Sequence, residues 1–252
     1  MAKKPLQSRL LVPFGTKDWS VERVSISTDQ AGELVFECPV SHVILDFNKA
    51  TALRLNSDWY RLYERPSDIA LQTAENRYSF IMEHMSIYCD IWDKFQQIFL
   101  SKYFKFICQH IENNKLNLKN KLMGMRSLYS YQDWLMSAYL PLPQSIIYLP
   151  DDPRDLSYSE ADIVRVPLLF WTGHKAIVLF FVGSDTPSPR LVNISAKLRE
   201  GGYTVFDIAQ KELAVENSAW LQEFFQTHFG NFWEDETLPS GPFKPEIADP
   251  QI

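Results

Sequence analysis

Cysteine is scarce in this sequence. The three residues, Cys38, Cys89 and Cys108, are odd in number, far apart, and form no C-x-x-C pair. That excludes a disulfide framework or a zinc ribbon as the organising element, and a reducing, cytoplasmic compartment is the simplest expectation. Glycine is scarce too, at 9 of 252 residues, and neither G-x-x-x-x-G-K nor G-x-G-x-x-G occurs. Loops that cradle phosphates with bare backbone are therefore not expected. The histidines His42, His84, His110, His174 and His228 are scattered, Met82-Glu83-His84-Met85 has no second histidine at helical spacing, and no G-x-S-x-G elbow exists. Zincin-type and serine-triad chemistry lose their signatures. No apolar run approaches the roughly 20 residues of a membrane span; the most apolar window, Ala176 to Val182, is only strand length. The basic start Met1-Ala2-Lys3-Lys4-Pro5 leads into no apolar stretch, so neither a signal peptide nor a membrane partner is expected.

Present instead is ample core material: 46% of residues are hydrophobic and 14% aromatic. The net charge of −6 weighs against a dedicated non-specific DNA binder, which usually carries a basic balance. A local basic face is still compatible with that total. Between Asn113 and Arg126 the cations Lys115, Lys119, Lys121 and Arg126 occur with no acidic residue among them. Two readings of this segment stand side by side, a solvated connector and a phosphate-contacting patch. The acidic run Asp151-Asp152-Pro153-Arg154-Asp155 lacks EF-hand spacing and reads as a solvated loop.

Along the chain, residues 18 to 47 read as a small antiparallel sheet, with apolar runs at Val21–Ile26, Leu34–Phe36 and Val43–Leu45. From Ala74 to about Ile111 apolar and aromatic residues recur every three or four positions, which predicts one helix or a broken pair. A short helix over Tyr131 to Tyr139 is expected to stop at Pro141 and Pro143, followed by a strand from Ser145 to Leu149. Asp162 to Trp171, a turn at Thr172-Gly173-His174-Lys175, and Ala176 to Val182 read as a β-hairpin whose second strand is central and buried. Leu191 to Arg199 suits a helix closed by Gly201-Gly202, and Tyr203 to Ile208 the next strand. A helix between two apolar strands implies parallel pairing with a right-handed crossover. Trp220 to Phe229 is a last amphipathic helix, with Trp220, Phe224 and Phe225 expected in the core and Phe232 and Trp233 at an exposed contact.

The expected fold class is α+β. Residues 1–126 form a small antiparallel β-sheet plus long helices. Residues 127–235 form a mixed-sheet α/β/α domain, and 236–252 an irregular tail.

The order of elements after residue 127 resembles the PD-(D/E)XK restriction-endonuclease-like superfamily. Leu198-Arg199-Glu200-Gly201-Gly202-Tyr203-Thr204-Val205 matches that family's "leucine, two residues, Gly-Tyr-x-Val" segment, Ala161-Asp162-Ile163 its acidic entry, and Ala176 to Gly183 its central strand. The resemblance implies a Mg²⁺-dependent nuclease site, but the positions of its E-x-K pair fall on about Phe180 and Val182, which neither coordinate a hard cation nor hold a proton. Displaced groups that would restore the chemistry are Asp162 and Asp185 as metal ligands, with Asp133 and Lys197 completing a catalytic set. Three functions follow. The first is a non-catalytic nuclease-like module, without cofactor, that binds nucleic acid or a protein complex, with Lys115, Lys119, Lys121 and Arg126 as nucleic-acid contacts. The second is a divergent endonuclease using Mg²⁺ on the displaced carboxylates. The third is an assembly or adaptor protein with no nucleic-acid role.

Overall fold

The computed structural model describes the strand backbone of residues 10–13, 25–28, 34–37 and 42–45, and residues 52–55, 74–90, 93–126, 128–149, 163–183, 188–234 and 236–239. In chain order the elements are β1 (Leu10–Pro13), β2 (Ser25–Thr28), β3 (Leu34–Glu37), β4 (His42–Leu45), α1 (Ala74–Ile87), α2 (Lys94–Asn113), α3 (Lys115–Lys121), a 3-10 helix (Tyr131–Ser137), β5 (Pro141–Tyr148), β6 (Ile163–Trp171), β7 (Ala176–Val182), α4 (Pro189–Glu200), β8 (Thr204–Ala209), α5 (Gln210–Ala214) and α6 (Ala219–Phe229). The protein is of the α+β class. Its four-stranded sheet runs β5-β6-β7-β8, antiparallel through β7 and parallel between β7 and β8. The N-terminal strands form two antiparallel pairs, β1 with β4 and β2 with β3.

Two compact units are drawn from interleaved segments. Unit 1 takes the described residues of Met1–Ala52, Met85–Gln97 and Pro141–Glu216. Unit 2 takes those of Leu53–His84, Ile98–Leu140 and Asn217–Ile252, so residue 126 falls inside it.

In unit 1 the β6–β7 hairpin turns where the sequence places it. Gly173 adopts φ 85°, open to glycine at no steric cost, and the Thr172 N–H donates to the Lys175 carbonyl at 3.1 Å. From Ala176 to Phe180 every residue of β7 is buried, as a strand with neighbours on both edges and cover on its faces requires. After α4, capped by Ser188 Oγ on the Leu191 N–H, the chain reverses through Gly201 and Gly202 into β8. Gly202 sits at φ 92°, and a methyl group on Gly201 would stand 2.8 Å from Leu149 Cδ2. Gly202 is therefore a structural requirement, whereas a side chain at Gly201 would need the buried Leu149 to shift.

β5 begins at Pro141, four residues before the strand start expected from sequence. Proline cannot donate to a ladder, but β5 is the end strand of the four-stranded sheet, the position where proline is tolerated. Pairing is interrupted at Gln144, which lies opposite Pro167 between the Pro143–Leu168 and Ser145–Val166 partners. Gln144 has φ 50°, the only positive value outside glycine among the described residues. Its buried amide donates to Gln96 Oε1 at 2.8 Å, which holds the irregular position.

The expected helical stretch from Ala74 is a broken pair, α1 and α2, with an interruption after Ile87. In unit 2, Phe99, Tyr103 and Phe106 recur along one side of α2, and Phe225 and Phe229 along one side of α6. Their rings meet edge-on or tilted, with Phe99–Phe225 centroids at 5.3 Å, Tyr103–Phe229 at 5.2 Å and Phe106–Phe225 at 5.3 Å. Such geometry suits the aromatic quadrupole. Tyr103 is wholly buried, and its hydroxyl donates to the Tyr139 carbonyl at 2.8 Å. Burial pushes its pKa well above the ordinary tyrosine range.

Two expectations at the end of unit 2 are overturned. Phe232 and Trp233 are buried, at 0% and 6% exposure, while Trp220 is 42% exposed. Trp220 stands in the first turn of α6 and stacks on Phe224, at 5.3 Å and 14°. The backbone that carries Phe232 and Trp233 accepts hydrogen bonds from the side chains of sequence-distant residues.

Candidate partner-binding face

The segment expected as a polar connector contains the two-turn helix α3. Leu118 and Leu122, four residues apart, are buried, and that inward pair gives the helix a reason to form. Tight turns follow: Met125 N–H donates to the Leu122 carbonyl at 2.7 Å, and Leu128 N–H to the Met125 carbonyl at 2.9 Å. The basic residues are thus carried on an ordered scaffold.

Its four cations have separate roles. Lys115 pairs with Glu112 at 2.6 Å and lies over the Tyr131 ring, 4.7 Å from its centroid. Lys119 lies over the same ring at 5.2 Å, and the Tyr131 hydroxyl donates to Glu112 Oε2 at 2.8 Å. Glu112 is held below the usual glutamate range, first by its hydrogen bond from Lys115 and then by that from Tyr131. Arg126 Nε donates to the Lys119 carbonyl at 3.3 Å. Among the described residues no carboxylate lies within ion-pair distance of Lys119 or Arg126.

Lys121 points to a different task. Its Nζ donates to the carbonyls of Trp233 at 2.8 Å and Glu236 at 3.3 Å, 5.5 Å from the Trp134 ring centroid. Arg54 grips the same turn. Its Nη1 donates to the carbonyls of Ser137 at 2.5 Å and Phe232 at 2.6 Å, and its Nε pairs with Glu236 at 2.9 Å. His110 completes the arrangement, its ring stacked on Phe106 at 5.3 Å and on Trp233 at 4.5 Å, with Nε2 2.9 Å from the Gly230 carbonyl. Burial holds the His110 pKa below the ordinary histidine value.

Of the expected catalytic set, Asp162 and Asp185 lie outside the described residues. Asp133 is buried in the first turn of the 3-10 helix, where its carboxylate accepts the Ser130 N–H at 2.6 Å. That is one half of a capping box, a structural use of the group. Lys197 lies half-buried in the last turn of α4, and its carbonyl accepts the Gly201 N–H at 3.0 Å. Among the described residues no three His, Cys, Asp or Glu side chains gather in a way that could hold a metal ion. In the strand where the resemblance places its E-x-K pair, Phe180 is buried and Val182 half-buried.

Sequence reasoning did not find the clamp of Arg54, Lys121 and His110. Most of its acceptors are backbone carbonyls, which carry no residue signature. The exposed apolar residues of the basic segment were equally hidden: Leu116 is 80% and Met123 73% exposed.

Comparisons with family models, with curated proteins and with solved structures give no match. Among the described residues no helix is long and apolar enough to cross a membrane.

Proposed function

We propose that the protein is a non-catalytic binding module on a nuclease-like α/β layout, and that it takes an anionic partner, nucleic acid or a protein complex, on the face formed by residues 115–126. One observation carries this reading. Lys119 and Arg126 stand exposed on an ordered scaffold, with no carboxylate at ion-pair distance among the described residues. In a chain of net charge −6, a local surplus of this kind is a place for an external anion. The apolar side chains at Phe180 and Val182, and the engagement of Asp133 in a helix cap, support the non-catalytic half of the proposal.

The test is a titration of the full chain with a labelled single-stranded oligonucleotide and with labelled polyglutamate. Binding to at least one probe is expected, weakening steeply as salt rises from about 50 to 200 mM. The double variant Lys119→Glu, Arg126→Glu should lose about tenfold or more in affinity. Absence of salt-sensitive binding to both probes, or indifference to the double variant, rejects the reading. Mg²⁺-dependent cleavage of nucleic acid that disappears in Asp162→Ala would replace the non-catalytic half with the divergent-endonuclease alternative.

A further inference from the structure

The same face carries more than charge. Helix α3 uses Leu118 and, just beyond it, Leu122 to close its inner side, and both are fully buried. Leu116 is therefore not a core residue left loose. It stands 80% exposed on the opposite side, and Lys119, Asn120 and Met123 follow it at spacings of three, four and seven residues. At helical pitch Leu116, Lys119 and Asn120 share the outward side of the helix, and Met123 is exposed in the turn just past its end. Met123 is 73% exposed, and beyond it Met125 and Leu128 are exposed at 41% and 49%. Four large apolar side chains on the surface within thirteen residues are a concentration that a solvated connector does not need.

Resting on the binding-module reading, we infer that this face docks an acidic amphipathic protein segment, one with apolar side chains at helical spacing flanked by Asp or Glu. Three observations select this occupant. Charge complementarity comes first: residues 113–126 contain no acid, and Lys119 and Arg126 are exposed in the same segment with no carboxylate at ion-pair distance among the described residues. The apolar residues come second. A phosphate backbone gains nothing from exposed leucine and methionine, whereas a helix laid in an apolar groove anchors through such positions. Methionine in particular adapts its shape to different partners. Third, sequence-independent binding of single strands uses bases stacked on aromatic rings. The ring of Tyr131 beside this face is covered by Lys115 and Lys119, and its hydroxyl is held by Glu112.

The experiment selects displayed random peptides of about 16 residues, long enough for four turns of helix, on the immobilised full chain, then titrates one enriched peptide in solution. Enrichment of sequences with Asp or Glu around apolar residues three and four apart is expected. The Leu116→Ser, Met123→Ser variant should bind that peptide about tenfold more weakly with an unchanged thermal midpoint, and Lys119→Glu, Arg126→Glu should weaken it as well. The inference is overturned if selection yields no acidic–apolar class, or if the enriched peptide binds the serine variant as well as the wild type. It is equally overturned if an oligonucleotide, or vesicles containing phosphatidylserine, lose affinity on the serine substitutions while the peptide does not. Salt-sensitive polyanion binding that persists under any of these outcomes leaves the binding-module reading in place; its absence removes both.

Discussion

In unit 1 the buried strands are lined mainly by branched aliphatic side chains, Val178 and Leu179 of β7 against Leu168 and Leu169 of β6, and their backbone groups are satisfied by the sheet ladder. In unit 2 the core is aromatic, and much of the surrounding backbone lies in turns, so side chains must reach in to satisfy it. Tyr103 serves the Tyr139 carbonyl, Arg54 those of Ser137 and Phe232, and Lys121 that of Trp233. A ladder is local and repetitive; a set of side-chain donors is irregular and depends on each member. Damage in unit 2 should therefore be concentrated at single residues and in unit 1 spread over many.

The largest expected effect tests the cores themselves. Phe225→Ala removes a ring that meets Phe99, Tyr103 and Phe106, and should cost about 4–5 kcal/mol. Leu179→Ala in the sheet should cost about 2–3 kcal/mol. Urea unfolding of both variants measures the difference, and the reverse order would break the comparison. Next is Arg54→Met, which keeps much of the side-chain bulk but leaves two carbonyls and the Glu236 carboxylate without this donor. A loss of about 2–3 kcal/mol is expected. A neutral result would show that the turn around Phe232 is held by packing alone.

The smallest effect is set by pH. His110 has its pKa lowered in the folded protein by burial, so below the unfolded value of about 6.5 the unfolded chain binds the proton more readily. Its contribution is complete above that value and declines as pH falls through it toward the folded pKa. His110→Phe keeps a ring between Phe106 and Trp233 and removes the titrating group. Between about pH 7 and 5 the variant should lose less stability than the wild type, as thermal midpoints across that range would show. An equal slope in both proteins would assign the acid sensitivity to other groups.

Much of unit 1 was legible in the sequence. The hairpin at Thr172–Lys175, β7, α4 with its closing glycines, and β8 are each specified by local signals that agree: turn residues, period and cap. The start of β5 was misread because Pro141 is a stop signal for a helix and, equally, an acceptable residue on an edge strand. Unit 2 was legible as helices but not as an assembly. Its aromatic periodicity revealed α2 and α6, yet nothing local tells that Phe232 and Trp233 are pulled inward while Trp220 is left out. Of the candidate site, the basic residues were visible as charge. Their division into surface cations and the inward Lys121 depends on which carbonyls lie nearby. The outward Leu116 and Met123 become informative only once Leu118 and Leu122 are known to fill the interior.

The Arg54 contact also bears on how the chain is made. Its two carbonyl acceptors lie 83 and 178 residues further on. During synthesis the first is delivered long before the second, because the ribosome must add α4, β8 and α6 in between. Contacts of such high sequence separation close slowly. Until α6 emerges, nascent unit 2 lacks the Phe225 and Phe229 rings that meet the α2 aromatic face, and that interval is when a chaperone would find the most to hold.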